Sequence, residues 1–140
     1  MRCPVVYLIS LLALAGCATE IAPTADATGI PPVRIHAPAY TKPSADQQQG
    51  LVIVKRDKPR LMSVNCRNDL FVDGTHVATI EPSEKIEIYL SLGEHIVGAS
   101  KPNCGGEIRE RTITPSQSMT KTIRVWSDRD GNLQVQQTSF

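Results

Sequence analysis

The feature that most constrains the fold is a two-residue alternation of apolar and polar side chains across residues 50–140. It is clearest over residues 85–90, where isoleucine and leucine alternate with charged or aromatic residues. A period of two places the apolar side chains on one face of a β-strand and leaves the other face wet. No useful length of helical spacing appears, apart from a turn near residues 116–119. The sequence therefore predicts an all-β domain.

Turn residues divide this domain into seven or eight short predicted strands, with a hairpin counted as one. They cover residues 51–54, 61–66, 86–90, 95–100, 107–114, 121–126 and 133–137, with a hairpin over residues 70–80. In that hairpin Asp73-Gly74 supplies the positive φ angles of a type I′ turn. Asp130-Gly131-Asn132 marks a second turn. The pattern predicts a small antiparallel β-sandwich, with a partly open barrel as the alternative.

The first residues have the pattern of a secretion signal. Arg2 is the only charged residue before Glu20, and an apolar run over residues 5–15 ends in the small residue Gly16 followed by Cys17. Such a segment is typical of a signal peptide. A permanent transmembrane helix is the alternative, but it needs about 20 apolar residues. We therefore predict a cleaved signal peptide over residues 1–16.

The end of this segment, Leu14-Ala15-Gly16-Cys17, resembles the lipobox of bacterial lipoproteins. The resemblance implies that Cys17 is acylated after cleavage and that the lipid binds the protein to a membrane. A thiolate is a suitable nucleophile for this transfer, and several acyl chains give stable anchoring. In these lipoproteins Asp after the cysteine commonly signals inner-membrane retention. Because Ala18 stands there, the resemblance implies an outer-membrane protein whose domain lies in the periplasm.

Residues 17–49 are rich in Pro, Ala and Thr, a composition that blocks regular ladders and helices. They are predicted to form a disordered tether with a reach of about 30 Å as a flexible coil. Residues 33–36 form one slightly apolar island, which predicts a short strand, a contact with a partner, or unstructured chain. The sequence thus predicts a domain at residues 50–140 that stands off the membrane.

Two cysteines remain for the domain. Cys3 leaves with the signal peptide and Cys17 is the lipid site, so Cys66 and Cys104 form an even pair in an oxidising compartment. We predict a disulfide between them, worth roughly 4 kcal/mol in the chain-entropy model. The alternative, a redox-active or metal-binding thiol pair, lacks the close CxxC spacing.

A second resemblance lies within the domain. Residues 70–74, which contain Val-Asp-Gly, and residues 90–97, which contain Gly-Glu-His-Ile-Val, resemble the PEGA-like β-domains of bacterial envelope lipoproteins. Leu92 stands where those domains usually carry proline. The resemblance implies a small sandwich used for binding or assembly, with no catalytic residues to carry over.

Composition and motifs argue against several functions. The formal charge of +1 is too small for a nucleic-acid binder. Of the three histidines, His36 lies in the predicted tether. His76 and His95 lack partners at metal-ligand spacing, and each is expected to be a solvated or hydrogen-bonded turn histidine. The sequence contains no GxSxG nucleophile elbow. We therefore predict no enzymatic activity, no catalytic residues, no metal site and no cofactor.

Basic residues near the end of the chain are the candidate partner-binding residues. Alternation would place Arg109 and Arg111 on one outward strand face, with Arg124 and Trp126 further along the chain. Such a patch would bind lipid A phosphates or an acidic protein. Interspersed acidic residues favour a solvated strand face as the alternative, and Trp126 could equally cap the core.

These observations lead to a hypothesis about function. The chain is predicted to be an outer-membrane lipoprotein and a non-enzymatic structural or accessory subunit of a cell-envelope assembly of the secretion, conjugation or pilus type. Exposed β edges would bind envelope proteins by strand addition. The alternative is a periplasmic binding module for peptidoglycan or another envelope glycan. Against it, the chain has only six aromatic residues for stacking on sugars.

Overall fold

The computed structural model describes residues 20–59 and 65–140. Within these residues nine strands form two sheets that pack as a sandwich. The strands are β1 Thr28–Gly29, β2 Gln49–Arg56, β3 Asn68–Val72, β4 Thr75–Ile80, β5 Glu84–Ser91, β6 His95–Ser100, β7 Ile108–Ile113, β8 Lys121–Ser127 and β9 Leu133–Thr138. Two 3₁₀ turns, Pro32–Arg34 and Pro38–Thr41, lie between β1 and β2. The predicted all-β sandwich is confirmed.

The strand order is β1-β5-β2-β8-β9 in the five-stranded sheet and β4-β3-β6-β7 in the four-stranded sheet. Most neighbours are antiparallel, but β1 runs parallel to β5, and β8 runs parallel to β2. The expectation of a purely antiparallel sandwich is therefore wrong at two pairs. Parallel neighbours need a crossover connection, and the four-stranded sheet lies within the connection from β2 to β8.

Both sheets bury one face in a common core. In β5 the side chains of Ile86, Ile88 and Leu90 are buried, whereas Glu87 between them is exposed. The other strands contribute further buried side chains: Val52, Val54, Leu70, Val72, Val77, Ile80, Val97, Ile123, Val125 and Leu133. The alternation predicted from the sequence thus corresponds to the inner and outer faces of each sheet.

The β3–β4 hairpin has the turn that the sequence predicts. Asp73 and Gly74 have φ angles of 48° and 79°, both in the left-handed region required by a type I′ turn. Gly131 in the β8–β9 turn also has a positive φ, of 82°. The two predicted turn motifs are therefore used as turns.

The predicted disulfide joins Cys66, before β3, to Cys104, in the loop between β6 and β7. The two Cα atoms are 5.7 Å apart. The predicted strand over residues 61–66 is wrong at its end, because Asn65 lies in a turn and Cys66 in irregular chain before β3. Residues 61–64 lie outside the described residues. The disulfide therefore connects two internal segments that are not held by strand pairing.

Residues 20–41, which we call the strap, lie against the sandwich. β1 adds a short parallel strand to β5, Ala27 and Ile30 are buried, and Ile35 makes an isolated bridge with Ala78 of β4. The predicted disordered tether is therefore wrong for this part of residues 17–49. Its few apolar residues have no regular spacing, so the sequence gives no sign that they are buried. Their burial is visible only in their contacts with the sandwich.

Two predictions for the first residues stay predictions. The signal peptide over residues 1–16 and the lipidated Cys17 lie outside the described residues. Among the residues that are described, no helix is long and apolar enough to cross a membrane. Residues 33–36, the apolar island, contain a 3₁₀ turn and the bridge from Ile35, and they contact the chain's own sandwich.

Candidate functional site

The strap covers the strand edges on one side of the sandwich. The backbone N–H groups of His36 and Ala37 both donate to the carbonyl oxygen of Val77 in β4, over 2.8 and 3.1 Å. On the same side β1 pairs with β5, the neighbouring edge of the other sheet. Unpaired strand edges are templates for another chain, and the strap occupies these two.

The opposite side of the sandwich leaves its edges open. Within residues 20–59 and 65–140, no strand pairs with the outer edge of β7 or of β9. The first five residues of β7 are all exposed. On the outer face of the four-stranded sheet, Ile108 is 60% exposed and Ile96, on the neighbouring strand β6, is 44% exposed. A long exposed edge beside apolar side chains is suited to strand addition.

Two of the predicted partner residues lie on this edge, but not on its outer face. Arg111 pairs with Val97, and Arg109 pairs with Ala99. Paired residues share a face, and Val97 and Ala99 are buried, so both arginines point toward the gap between the sheets. The prediction that they form an outward face is therefore wrong. They remain exposed because β7 is the last strand of its sheet.

Ionic and polar contacts connect the start of β7 to the start of β9. Glu107 accepts a hydrogen bond from the Leu133 N–H over 2.9 Å, forms an ion pair with Arg109 at 2.7 Å and lies 3.5 Å from the Lys101 ammonium. Its pKa is lowered by the Leu133 N–H and by the two cations. One end of the open edge is thereby held in place.

The other two predicted partner residues, Arg124 and Trp126, lie on β8 in the five-stranded sheet. The Arg124 guanidinium lies 4.5 Å from the Trp126 ring centroid and forms an ion pair with Asp57. Arg124 is therefore held by its own chain, and the structure does not bring all four predicted residues together.

Asp57 connects the strap to the five-stranded sheet. Its side chain is fully buried, pairs with Arg124 and accepts a hydrogen bond from the Ala22 N–H over 3.3 Å. The buried ammonium of Lys55 donates to the Ala22 carbonyl oxygen. Burial lowers the pKa of Lys55, the nearby Asp57 carboxylate opposes that shift, and the charge of Arg124 adds to it. The backbone of Ala22, near the start of the strap, is thus bonded both to the carboxylate that Arg124 pairs with and to the buried ammonium of Lys55.

A second ion pair holds the middle of the strap. The Arg34 guanidinium makes two contacts with the carboxylate of Glu84, one of them at 2.8 Å. The Glu84 carboxylate also accepts the Glu81 N–H over 2.8 Å. The hydrogen bond to Glu84 raises the pKa of Arg34. Two parallel contacts to a planar guanidinium fix direction as well as distance.

His36 and His76 pack together between the strap and β4. Their ring centroids are 4.2 Å apart, and Nε2 of His36 lies 3.2 Å from Oγ1 of Thr79. Nε2 of His76 is buried and has no hydrogen-bond partner among the described residues. In the described part of the chain, no group of three His, Cys, Asp or Glu side chains is arranged to hold a metal ion.

An open groove of about 230 Å³ lies between the strap, the end of β5 and the start of β6. Its lining combines tyrosine rings with amide, hydroxyl and ionisable groups: Ala39, Tyr40, Gln47, Gln49, Asp73, Tyr89, Leu90, Ser91 and His95. Hydrogen-bonding groups beside aromatic rings are suited to a polar, uncharged ligand such as a sugar.

Three groove residues have the hydrogen-bond order of a Ser-His-Asp triad. Nε2 of His95 lies 3.1 Å from Oγ of Ser91, and Nδ1 lies 2.7 Å from Oδ2 of Asp73. However, Nε2 also lies 3.0 Å from the Ser91 carbonyl oxygen, and the N–H of Leu92 donates to Gln48. That N–H is therefore not free to stabilise an oxyanion. The arrangement connects the β5–β6 turn to the β3–β4 hairpin.

The Asp73–His95 pair predicts how stability depends on pH. The hydrogen bonds from His95 and from the Ile96 N–H lower the pKa of Asp73. A carboxylate with a lowered pKa stabilises the fold at every pH above its unfolded-state pKa of about 3.9. That stabilisation is lost as the pH falls through the folded-state pKa. Asp73→Asn, which preserves the turn preference, should therefore lower stability at pH 6 by less than about 1 kcal/mol and change it negligibly at pH 2.

The measurement is urea unfolding of both proteins across that pH range. The difference between them is needed because Glu107 and Asp128, whose pKa values are also lowered, titrate in the same window. A difference that stayed constant with pH would contradict a stabilising Asp73 carboxylate.

Sequence reasoning did not find this groove. Asp73, Ser91 and His95 belong to three different segments, and Tyr40 belongs to the strap that was predicted to be disordered. Their only local signal is the spacing of Ser91 and His95 across a tight turn. Comparison of the chain with protein-family models, curated proteins and solved structures finds no match.

Proposed function

We propose that this chain is an outer-membrane lipoprotein, anchored through Cys17, that acts as a non-enzymatic accessory subunit of a cell-envelope assembly of the secretion, conjugation or pilus type. The lipobox of residues 14–17 supports the anchor. The open edge of β7 carries the proposal of assembly: an envelope protein adds a strand there. Main-chain hydrogen bonds supply affinity in this binding mode, and side chains beside the new strand supply specificity.

β7 is favoured over β9 as the docking edge because apolar surface lies beside it. An added strand would cover part of the exposed side chain of Ile108, while Glu110 and Thr112 follow on the same outer face. The opposite side of the sandwich is occupied by the strap. A partner strand can therefore pair with the open side, whereas the strand edges on the opposite side pair with the strap of the same chain.

The docking edge is tested by crosslinking in cells. A photoreactive amino acid at Ile108 in the full-length protein is expected to capture a defined envelope protein, identified by mass spectrometry. Two adjacent variants, Glu110→Pro and Arg111→Pro, form a matched pair because successive N–H groups of an edge strand alternate between the neighbour and the outside. One of the two variants removes the N–H that points away from β6, toward the docked strand. That variant should lose the crosslink and unfold at the same midpoint as the parent protein.

The other proline variant should also lose stability, since it removes a hydrogen bond to β6. Unchanged capture in both variants would contradict docking by strand addition. Cys17→Ser is the control for membrane anchoring. It should abolish acyl labelling and, because the protein is no longer held at the membrane, also reduce crosslinking to the partner. Acyl labelling that persisted in Cys17→Ser would contradict the lipid anchor.

The groove favours a second function, binding of peptidoglycan or another envelope glycan. Two of the six aromatic residues in the chain, Tyr40 and Tyr89, line it together with the amides of Gln47 and Gln49. If the groove binds glycan, Tyr89→Ala should reduce the protein recovered with purified sacculi by about tenfold, the effect of roughly 1.4 kcal/mol in binding. Equal recovery of Tyr89→Ala and the parent protein would contradict this function.

A further inference from the structure

The strap crosses the outer face of the five-stranded sheet. Lys55 and Lys85 are paired neighbours on β2 and β5, and they alternate with buried core residues, so their side chains rise on the outer face. The Lys55 ammonium donates to the Ala22 carbonyl, and the Lys85 ammonium donates to the Thr24 carbonyl over 2.8 Å. The first described residues therefore lie flat on this face.

The strap begins close to the predicted lipid site. Glu20 makes an isolated bridge with Lys58, just beyond β2, and it lies only three positions after Cys17 in the sequence. Three residues span at most about 11 Å when fully extended. An acyl group on Cys17 would thus hold Glu20 within about that distance of the bilayer surface. The strap, which the sequence predicts to be part of a long tether, instead packs against the sandwich.

Two apolar side chains lie exposed near this point. Ile21 is 47% exposed and Phe140 is 70% exposed. Ile21 belongs to the strap, and Phe140 is held beside the strap because Oγ1 of Thr24 donates to the carbonyl oxygen of Phe140 over 2.7 Å. The strap connects residues that are more than a hundred positions apart in sequence, which brings Phe140 to the same surface.

The charges around this surface are mixed. Glu20 and Asp26 lie there with Lys58, and the Lys85 ammonium is bonded to the strap backbone. A surface with both signs has little net attraction for anionic lipids. Contact with a bilayer would then depend on the anchor and on apolar side chains rather than on electrostatic binding.

We propose that the outer face of the five-stranded sheet lies against the bilayer surface, with Ile21 and Phe140 in the headgroup region. This inference rests on the proposed lipidation of Cys17. The four-stranded sheet, with the open edge of β7, is then the layer that points away from the membrane. A free tether would instead leave the domain without a fixed orientation, at an r.m.s. distance of about 30 Å from the anchor.

Single tryptophans report the orientation. In a Trp126→Phe background, which retains an aromatic ring beneath Arg124, tryptophan is placed either at Phe140 or at Ile108. The two positions are similarly exposed, at 70% and 60%. Phe140 follows β9 of the five-stranded sheet, whereas Ile108 lies on β7 of the four-stranded sheet. The acylated protein is reconstituted in vesicles of phosphatidylcholine with brominated acyl chains, which quench tryptophan fluorescence at short range.

Phe140→Trp should lose about half of its fluorescence in brominated vesicles, because headgroup-level side chains lie within about 10 Å of the acyl chains. Ile108→Trp should lose almost none, and neither result should change with salt. Equal quenching at both positions, or none at Phe140→Trp, would overturn the proposed orientation.

Two further measurements separate the causes of failure. The intact mass of the purified protein shows whether acyl chains are attached, so their absence would contradict the lipoprotein proposal rather than the orientation. If a tryptophan variant fails to fold, photoreactive lipids are crosslinked to the unsubstituted acylated protein. Labelling should then fall on the peptides that contain Ile21 and Phe140, and predominant labelling of the peptide that contains Ile108 would overturn the inference.

Discussion

Asp57→Ala is expected to lower the free energy of unfolding by about 3 to 5 kcal/mol and to release the strap from the sheet beneath it, because breaking a buried ion pair leaves a charge without its partner. The Asp57 side chain is fully buried and pairs with Arg124, whose side chain is only 15% exposed. The buried Lys55 lies beside them. The variant would also lose the hydrogen bond from the Ala22 N–H.

Urea unfolding measures the loss of stability, and limited proteolysis measures release of the strap. Glu87→Ala is the matched control: it removes a carboxylate from the exposed face of the neighbouring strand β5 and should change stability by less than about 0.5 kcal/mol. If Asp57→Ala unfolded at the same urea concentration as Glu87→Ala, the buried cluster would not hold the strap.

Replacing both Cys66 and Cys104 by serine is expected to lower the free energy of unfolding by about 4 kcal/mol in the chain-entropy model. The bond closes a loop across 38 positions and connects two segments outside the sheets. Its loss mainly increases the freedom of the unfolded chain. For a small sandwich, that is a large share of a total stability of about 5 to 15 kcal/mol.

The measurement compares denaturant unfolding with and without reductant. Reductant should move the parent protein to the midpoint of the double variant and should leave the double variant unchanged. Equal midpoints for the oxidised parent and the double variant would contradict a stabilising disulfide. Alkylation of unfolded, unreduced protein provides an independent check, because bonded cysteines do not react.

Local patterns were sufficient to predict most of the sandwich. A strand that is half buried repeats its environment every two residues, so the alternation over residues 86–90 predicts both the strand and its inner face. The Asp73-Gly74 turn is equally local, because its positive φ angles depend mainly on those two residues. The disulfide was predicted by elimination, since two cysteines had other expected fates.

The strap was not predictable in the same way. Ala27, Ile30 and Ile35 are scattered among prolines and polar residues, yet Ala27 and Ile30 are buried and Ile35 packs against the core. A composition rich in Pro, Thr and Ala is shared by disordered tethers and by extended segments that bind a preformed surface. Only the surface itself distinguishes the two.

The sequence by itself determined that this chain forms an all-β sandwich with Cys66 and Cys104 available as a pair, because strand periodicity, turn chemistry and cysteine arithmetic act over short stretches or by simple count. The tertiary structure decided which edges are open, which face the strap covers, and that Asp73, Ser91 and His95 meet in one groove. Those features depend on contacts between residues far apart in the chain. A local sequence pattern does not specify which of those distant residues meet.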